Sequence, residues 1–469
     1  MPVTTVHPHY TEYAPLWKKI RDVVAGEDTI KQAGRAYLTQ LSGQDNLDYL
    51  DYLDGARFFP ATPRTIQGFL GAAFRVAPVF PTELEDWTQD ITLTGTPAET
   101  LLKKDVEEKF QTGRYGLRVD MELDGGRPYI AEYDAEHIRY WREDLLDGRR
   151  QLIKLTLEET EFTLGKDEFE VEVKPVYHVL DIDPDGYCRF RIFRKLGNME
   201  EWTPTLMKPP TRLGERLRFI PFVFAAELDK PPLLDLANVN IGHYKLTADY
   251  YDAMKFTSKP QPWIAGTNIK EKTFRIGSRW AWALPPGSVV GYLEYSGNGI
   301  SDIRQALIDD EARMARLGAA VIEEPKQGVE AAETARINQA GKSSLLASII
   351  SQTELEMTKA LRIMAWWGGL TNDLEDKDIV CTMNKDFIEG RMVGQDLTAF
   401  VAAWQAHGIS QQTLLYNVKR GDLLPPDQTV EDEIELILNE EPPLPQGQPD
   451  NLDQQNPQQP PPNNMQEAA

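Results

Sequence analysis

The feature that most constrains this chain is a change of sequence period at Pro231 and Pro232. Before it, apolar and polar residues alternate in short runs between turn residues, which predicts strands. After it, residues 233–256 contain no proline and one glycine, with apolar residues at helical spacing. This predicts a helix about 35 Å long. An insert of short strands, residues 259–297, and a second helical stretch, residues 300–321, follow. The pattern therefore predicts two long helices joined by a small β-rich tip.

A largely antiparallel β region is predicted for residues 113–227. Residues 116–133 alternate in polarity around a turn at residues 124–126 with the sequence Asp-Gly-Gly, which is a strong hairpin signal. The sequence DIDPDG, residues 181–186, matches the first half of a calcium-binding loop. Its twelfth position is Ile192 rather than a bidentate Glu, and strands rather than helices are predicted on both sides. A tight turn is therefore favoured over a metal site.

The longest helical pattern runs from Val329 to Trp367. It contains GKSS at residues 341–344, the letters of a phosphate-binding loop. Such a loop needs a glycine five positions earlier, where this chain has Arg336, and it should follow a buried strand. A helix is favoured instead, with Gly341 as a bend, because glycine inside a helix costs about 1 kcal/mol relative to alanine.

The C-terminal part begins with a predicted strand, DIVCTMN, at residues 378–384. Two short helices follow, the first over residues 397–407 and the second ending at Arg420. They read as an ordinary packed helical pair, since the second lacks the basic residues of a DNA-recognition helix. Residues 439–469 are rich in proline and glutamine and are predicted to be disordered.

The charge distribution restricts the partners of the chain. The formal net charge is −23, and beyond Arg420 there are eleven acidic residues with no Lys or Arg. This field disfavours tight binding of nucleic acid, which needs basic residues to displace counterions. It is compatible with a protein along which DNA slides without being held. No apolar run approaches the length of a membrane span, and the N-terminus carries no secretory signal.

Candidate chemical sites are few. The histidines have no metal-ligand spacing, and no nucleophile motif surrounds Cys188 or Cys381. Two cysteines far apart in the sequence favour a reduced, cytosolic protein over a disulfide-linked one. Catalytic, cofactor-binding and metal-binding residues are therefore not assigned. Three aromatic residues of the insert, Trp280, Trp282 and Tyr292, have two open interpretations: the core of a small β unit, or anchors for another protein.

The order of these parts resembles the portal proteins of tailed bacteriophages, and most of all a portal-like phage family catalogued as a domain of unknown function. The resemblance spans about residues 45–441, and the ordered series carries it rather than any one stretch. The matching segments are Tyr49–Pro78, Thr112–Leu123, Tyr129–Asp144, Ile220–Ala225, Pro231–Gly266, Ala332–Leu361, Asn384–Phe387 and Gly408–Glu441.

The resemblance implies an α+β portal fold that assembles as a ring, dodecameric in relatives. It divides the chain into the following parts: 1–44, an N-terminal segment; 45–230 with 329–387, a β-rich wing; 231–257, the first stem helix; 258–298, a small clip; 299–321, the second stem helix; 322–335, a tunnel-loop region; 336–387, a long wing helix and strand; 388–438, a helical crown; and 439–469, the disordered tail.

The function implied by the resemblance is a portal at one capsid vertex of the virion, assembled in the host cytoplasm. Double-stranded DNA would pass through it without sequence recognition, near Lys326 and Gln327 of the tunnel loop. Trp280, Trp282 and Tyr292 would belong to the clip. The implied partners are further copies of the chain, the major capsid and scaffolding proteins, the terminase motor and head-tail adaptor proteins; no membrane and no cofactor are implied.

Two alternatives remain open at this stage. One is another oligomeric virion component, such as a head-tail connector or scaffold. The other is a nucleotide-using enzyme, motivated by GKSS and by the many carboxylates.

Overall fold

The structure, a computed structural model, describes most of the chain in two compact units, Met1–Phe387 and Ile388–Ala469. The described residues are 2–439 without 123–125, 147, 165–166, 168, 196–200, 226–229, 259–260, 267–281, 283, 285, 294–296, 298, 319–331, 386, 388–393, 407, 421–422 and 426–427. The mixture of helices and antiparallel sheets confirms the α+β class.

The chain up to its first strand is helical. The elements are α1 (Pro8–Ala25), α2 (Glu27–Ala33), α3 (Asn46–Gly55), α4 (Ala61–Ala73), α5 (Glu85–Thr88) and α6 (Ala98–Thr112), with 3-10 turns at Gly34–Ala36 and Thr82–Leu84. α6 ends at Gly113, which adopts a left-handed conformation with φ 79° and donates its N–H to the carbonyl of Lys109. Glycine is preferred in this cap because it has no Cβ to clash there.

The strands of the middle region form two main antiparallel sheets, of order β10-β1-β2 and β3-β4-β5-β6-β7. A 3-10 turn at Ala135–His137 leads from one into the other, and β8 and β9 form a separate short pair. The strands are β1 (Tyr115–Met121), β2 (Pro128–Asp134), β3 (Ile138–Leu146), β4 (Arg149–Leu164), β5 (Val171–Ile182), β6 (Cys188–Lys195), β7 (Trp202–Lys208), β8 (Thr211–Arg212), β9 (Glu215–Arg216) and β10 (Phe222–Phe224).

Two predictions for this region are confirmed. The predicted hairpin is β1 and β2, which pair from Met121 opposite Pro128 to Tyr115 opposite Asp134. DIDPDG forms the turn between β5 and β6, where the Asp183 carboxylate accepts the backbone N–H groups of Asp185 and Tyr187. Asp183 therefore satisfies the backbone of its own turn.

The predicted order of helix, β tip and helix is also confirmed. The elements are α7 (Leu234–Ser258), β11 (Gln261–Ala265), β12 (Val289–Leu293) and α8 (Ile300–Leu317), followed by α9 (Ala332–Trp367) and, in the second unit, α10 (Gly394–Gln405), α11 (Gln411–Arg420) and α12 (Val430–Asn439). The second helix of the hairpin was predicted to reach residue 321, but it ends at Leu317. The reason is Gly318, which leaves the helical conformation and caps the carbonyl of Met314.

Two hydrophobic cores hold the first unit together. The larger core packs the apolar faces of α4, α6 and α9 against the three-stranded sheet, and its members include Phe69, Phe110 and Leu117. The smaller core lies where α1, α2 and α3 meet the inner half of α7, around Ile20 and Tyr244. The hairpin helix α7 is therefore built into the body of the unit at one end.

The long helix α9 follows the predicted pattern. The residues predicted on one face are all buried: Leu346, Ile349, Thr353, Met357, Ala360, Met364 and Trp367. The helix continues through Gly341, so the GKSS letters lie in a helix and not in a loop after a strand. The proposed bend at Gly341 stays a prediction.

The strand predicted at residues 378–384 is wrong. Only Thr382 forms a β-bridge, with Val79. Side chains of α9 bind other backbone groups of this segment instead: Arg362 donates to the carbonyl of Ile379 at 3.1 Å, and the Thr358 hydroxyl accepts the Cys381 N–H at 3.0 Å. A segment whose backbone groups are satisfied by a neighbouring helix does not need a sheet partner.

A buried ion cluster fastens α9 to α6. The Nζ atom of Lys109 lies 2.8 Å from Asp105 Oδ1 and 2.8 Å from Glu356 Oε2, and it donates to the Thr353 hydroxyl at 3.0 Å. All four residues are buried. Burial, opposed by Lys109 and reinforced by Glu356, raises the pKa of Asp105 to about 7. Two carboxylates share one ammonium, so a proton on Asp105 neutralises the cluster.

We predict that Asp105→Asn reduces the pH dependence of stability. The folded pKa of Asp105 is raised above its unfolded value of about 3.9, so the folded state binds more protons between about pH 4 and pH 7. The Asp105 contribution to the free energy of unfolding therefore falls as pH rises through this window. Asparagine removes that fall, of at most about 1.4 kcal/mol per pH unit.

Urea unfolding at pH 5, 6, 7 and 8 measures this effect. The control is Glu83→Gln, which removes an exposed carboxylate from the turn Thr82–Leu84. Parallel stability curves for the wild type and Asp105→Asn would contradict the prediction.

Candidate functional site

The strongest candidate site is the helical hairpin of α7 and α8 with its two-stranded tip. Contacts at three levels make the two helices antiparallel. At the base, Gly318 lies against Leu236, and in the middle His243 Nε2 lies 3.6 Å from Glu311 Oε1. At the far end, Gly297 lies between Thr257 and Ile300. The base is tightly packed, because a Cβ added to Gly318 would lie 2.6 Å from Thr65 Cγ2.

Buried polar contacts clamp the inner part of α7. The Asn240 side chain is completely buried; its amide donates to the carbonyl of Phe59 at 2.7 Å, and its oxygen accepts the Thr62 hydroxyl at 3.1 Å. Further along, the Thr247 hydroxyl donates to the carbonyl of Arg57 at 2.8 Å. Such contacts fix the position of the helix along its axis, since a shift would leave buried polar groups without partners.

The middle of the hairpin holds a buried histidine. His243 is 4% exposed, and burial lowers its pKa while Glu311 opposes that shift. The imidazole is therefore neutral at neutral pH. Its contact with Glu311 is a polar contact across the hairpin and not a strong ion pair.

Exposure rises toward the tip. The side chains of Met254 and Phe256, near the end of α7, are 42% and 51% exposed, and Ile308 on α8 is 47% exposed. The outward surface of α8 carries both signs of charge, including Asp302, Asp309, Arg304 and Arg313. The described part of the hairpin is thus polar with scattered apolar residues and is not a basic nucleic-acid surface.

The tip is an antiparallel pair in which Gln261 lies opposite Leu293 and Ala265 opposite Val289. Trp263 lies across Gly291, where an added Cβ would be 2.8 Å from the indole. Apolar side chains are exposed on both faces of the pair; they are Trp263, Val289, Val290, Tyr292 and Leu293. A two-stranded pair is marginal in water by itself, and exposed apolar surface of this kind is typical of protein contacts.

The residues singled out in the sequence fall in different places. Tyr292 is on β12 and 66% exposed. Trp282, which lies in the sequence between β11 and β12, is partly buried. Trp280, Lys326 and Gln327 lie outside the described residues. Trp263 was missed by the sequence analysis. The available signal was an aromatic residue in the same insert, while its place opposite Gly291 is seen only in the structure.

The described residues give little support for a metal site, a membrane span or a reactive cysteine. They contain no group of three or more His, Cys, Asp or Glu side chains placed to hold a metal ion, and no helix among them is long and apolar enough to cross a membrane. Cys188 and Cys381 are buried, and burial raises the pKa of each thiol to about 12. Both are therefore protonated and unreactive at neutral pH.

Comparison with solved structures finds chains from gene transfer agent (GTA) particles. One, from the virion of the native particle, is 12% identical with a TM-score of 0.37; the match covers 85% of this chain and 99% of that one. Another, from the neck of the native particle computed with C12 symmetry, is 12% identical with a TM-score of 0.37 and coverages of 78% and 91%. A third, from the neck of the empty particle computed with C6 symmetry, is 11% identical with a TM-score of 0.38 and coverages of 86% and 100%.

Scores this low establish neither a common fold nor a common function. No curated protein matches the chain. Residues 232–368, which contain α7, the two-stranded tip, α8 and α9, match the family model described as a domain of unknown function, DUF4055.

Proposed function

We propose that this chain is the portal protein of a tailed phage, a ring at one capsid vertex through which double-stranded DNA is packaged and ejected. The observation that carries the proposal is the hairpin of α7 and α8, clamped in the body of the unit at one end and ending in an exposed apolar tip. The resemblance set out under the sequence analysis assigns this hairpin to the stem and its tip to the clip.

The dimensions and charge of the chain support the proposal. α7 has 25 residues, which corresponds to about 37 Å at 1.5 Å per residue. A ring of such hairpins makes a channel wall about as long as one turn of double-stranded DNA. The mixed charges on α8 offer no basic surface that would hold the phosphates. Repeated head-to-tail contacts close into rings, and neighbouring copies would cover the apolar residues exposed along α7 and α8.

The proposed roles of individual residues follow from the resemblance. Lys326 and Gln327 come nearest to the DNA, in the segment before α9 that the resemblance assigns to the tunnel loop. Trp280, Trp282 and Tyr292 contribute to the docking surface for the terminase motor and the head-tail adaptor proteins. The ring is contacted by the major capsid and scaffolding proteins, and the mature chain is part of the virion.

We predict that the purified chain assembles into rings with a central channel, with twelve copies expected by the resemblance. Negative-stain images reveal the channel, and light scattering after size-exclusion chromatography gives the number of copies from the chain mass of 53.2 kDa. A protein that stays monomeric at micromolar concentration would count strongly against a portal.

We predict that replacing Trp280, Trp282 and Tyr292 by alanine weakens docking while rings still form. Aromatic anchors in an interface each contribute more than about 1 kcal/mol, so Kd for terminase or adaptor should rise about tenfold or more. Phe169→Ala is the control, since Phe169 is 85% exposed beyond β4 and outside the tip. Unchanged affinity of the triple variant would remove the docking role of these residues.

We predict that Lys326→Ala lowers the amount of DNA packaged or retained per particle, by about twofold or more, because each copy loses one cation facing the phosphates. Quantification of DNA in particles assembled with the variant measures this. Lys377→Ala removes an exposed lysine beyond α9 and serves as the control. Equal DNA content in both variants and the wild type would refute the role of Lys326.

A further inference from the structure

A large cavity lies between the two main sheets of the first unit, away from the helical hairpin tip. Its volume is about 1140 Å³. β1 and β2 line it on one side, β4, β5 and β6 on the other, with Trp367 from the end of α9. It is larger than the roughly 300–1,000 Å³ of small-molecule pockets, so it has room for an extended peptide segment.

The cavity follows the outer edge of β2, which the segment around Ile91 occupies at Ile130 and which has no backbone partner at Glu132 and Asp134 among the described residues. β2 is the outer strand of its sheet, and it contributes Tyr129, Ala131, Glu132, Tyr133 and Asp134 to the lining. Among the described residues, β2 has a strand partner on one side only. An unpaired strand edge is a template for a further strand, and many proteins bind extended peptides in this way.

The register of β2 shows which backbone groups face that edge. The N–H of Ile130 donates to the carbonyl of Ile91 at 2.9 Å, on the side away from β1. Because backbone groups alternate in an antiparallel pair, Glu132 and Asp134 direct their N–H and C=O groups to the same side. Because Ile91 already occupies the edge at Ile130, Glu132 and Asp134 are the residues of β2 that can pair with an added strand.

The lining has an excess of carboxylates. It contains Lys104 and Arg118 as permanent cations, against the acidic residues Asp120, Glu122, Glu132, Asp134, Glu158 and Glu159. The two cations are already used, since Lys104 pairs with Glu132 at 2.7 Å and Arg118 with Asp120 at 2.6 Å. Glu158 is paired with Arg139 at 3.0 Å and Glu159 with His178 at 2.6 Å, whereas Asp134 lies 4.0 Å from Lys104 Nζ and Glu122 is exposed. Glu122 and Asp134 are therefore the carboxylates that favour a positively charged occupant.

Buried Arg118 needs a further hydrogen-bond acceptor. Its side chain is 5% exposed and stacks over Phe190 at 4.4 Å. Its Nε–H has no hydrogen-bond partner within the described structure. Buried donors are almost always satisfied, and a backbone carbonyl of a bound peptide is an acceptor of suitable kind. A peptide thus meets both demands, with carbonyls for Arg118 and basic side chains for the carboxylates.

We propose that this cavity binds an extended, lysine- or arginine-containing segment of another protein, which pairs with β2 as an additional strand. The C-terminal end of this chain is not the occupant, because it carries eleven acids and no Lys or Arg beyond Arg420. The site does not depend on the ring or on its tip, so its test stands apart from the proposed portal function.

Binding of two labelled peptides to the full-length protein tests the proposal. The probes are fluorescein-labelled heptapeptides with alternating Thr and Lys or alternating Thr and Glu, measured by fluorescence anisotropy. The Thr-Lys peptide should bind, and its affinity should fall as salt is added. The Thr-Glu peptide should not bind. Hydrogen exchange of the Glu132 and Asp134 N–H groups should slow when the Thr-Lys peptide is added. Equal binding of both peptides, or no binding of either at millimolar concentration, would overturn the proposal.

A matched pair of variants separates the cavity from the general charge of the protein. Glu122→Gln with Asp134→Asn removes two carboxylates from the lining, and Glu83→Gln with Glu85→Gln removes two exposed ones from the segment Thr82–Thr88. The first pair should raise Kd about fivefold, the second should leave it unchanged. Equal weakening by both pairs, or unaltered hydrogen exchange of β2 in the wild type, would show that the peptide does not occupy this edge.

Discussion

The ammonium group of Lys109, buried between Asp105 and Glu356, fixes the position of α9 on α6. α9 is the longest helix in the described chain, and it closes the larger core over α4, α6 and the three-stranded sheet. A slide along its axis would leave buried charges without partners, which is among the most costly changes a fold can undergo. At its far end, Trp367 donates its indole N–H to the carbonyl of Thr211 at 2.8 Å. The ion cluster therefore sets the register of a helix that reaches from the larger core to the lining of the cavity.

Much of this fold was predictable from the sequence, because local patterns and packing agree. The alternating run before Pro231 became two antiparallel sheets, and the helical periodicity of α7 and α9 matched their buried faces. The strand predicted at residues 378–384 failed for a reason no local pattern reveals. Ile379, Cys381 and Met383 are buried as in a strand with one face in the core. Arg362 and Thr358 of α9, however, supply the backbone partners. Side chains distant in sequence thus replaced a sheet neighbour.

The candidate sites were less predictable than the fold. The tip was expected from the β-rich insert, yet Trp263 gained its place only through pairing with Gly291 across the strand. The cavity was not foreseen, because its lining comes from strands of two sheets and each contributes only a few polar residues. Arg118 and Asp120 look like ordinary alternation in β1, and the burial of Arg118 over Phe190 appears only when the sheets are packed together.

The clamped inner half of α7 has a mechanical consequence. With Asn240 and Thr247 bonded to the body and Phe256 exposed near the other end, the hairpin resembles a beam fixed at one end. A sideways load on such a beam produces its greatest bending moment at the support. Contacts of α7 with the body continue beyond Thr247, since Asp249 accepts the Tyr52 hydroxyl at 2.6 Å and Lys255 donates to the carbonyl of Asp51 at 3.0 Å. The stretch from Thr247 to Lys255 therefore carries the leverage of any force applied at the tip. A protein that binds the tip would act on the body of this unit through this stretch and through the base of α8, where Gly318 lies against Thr65.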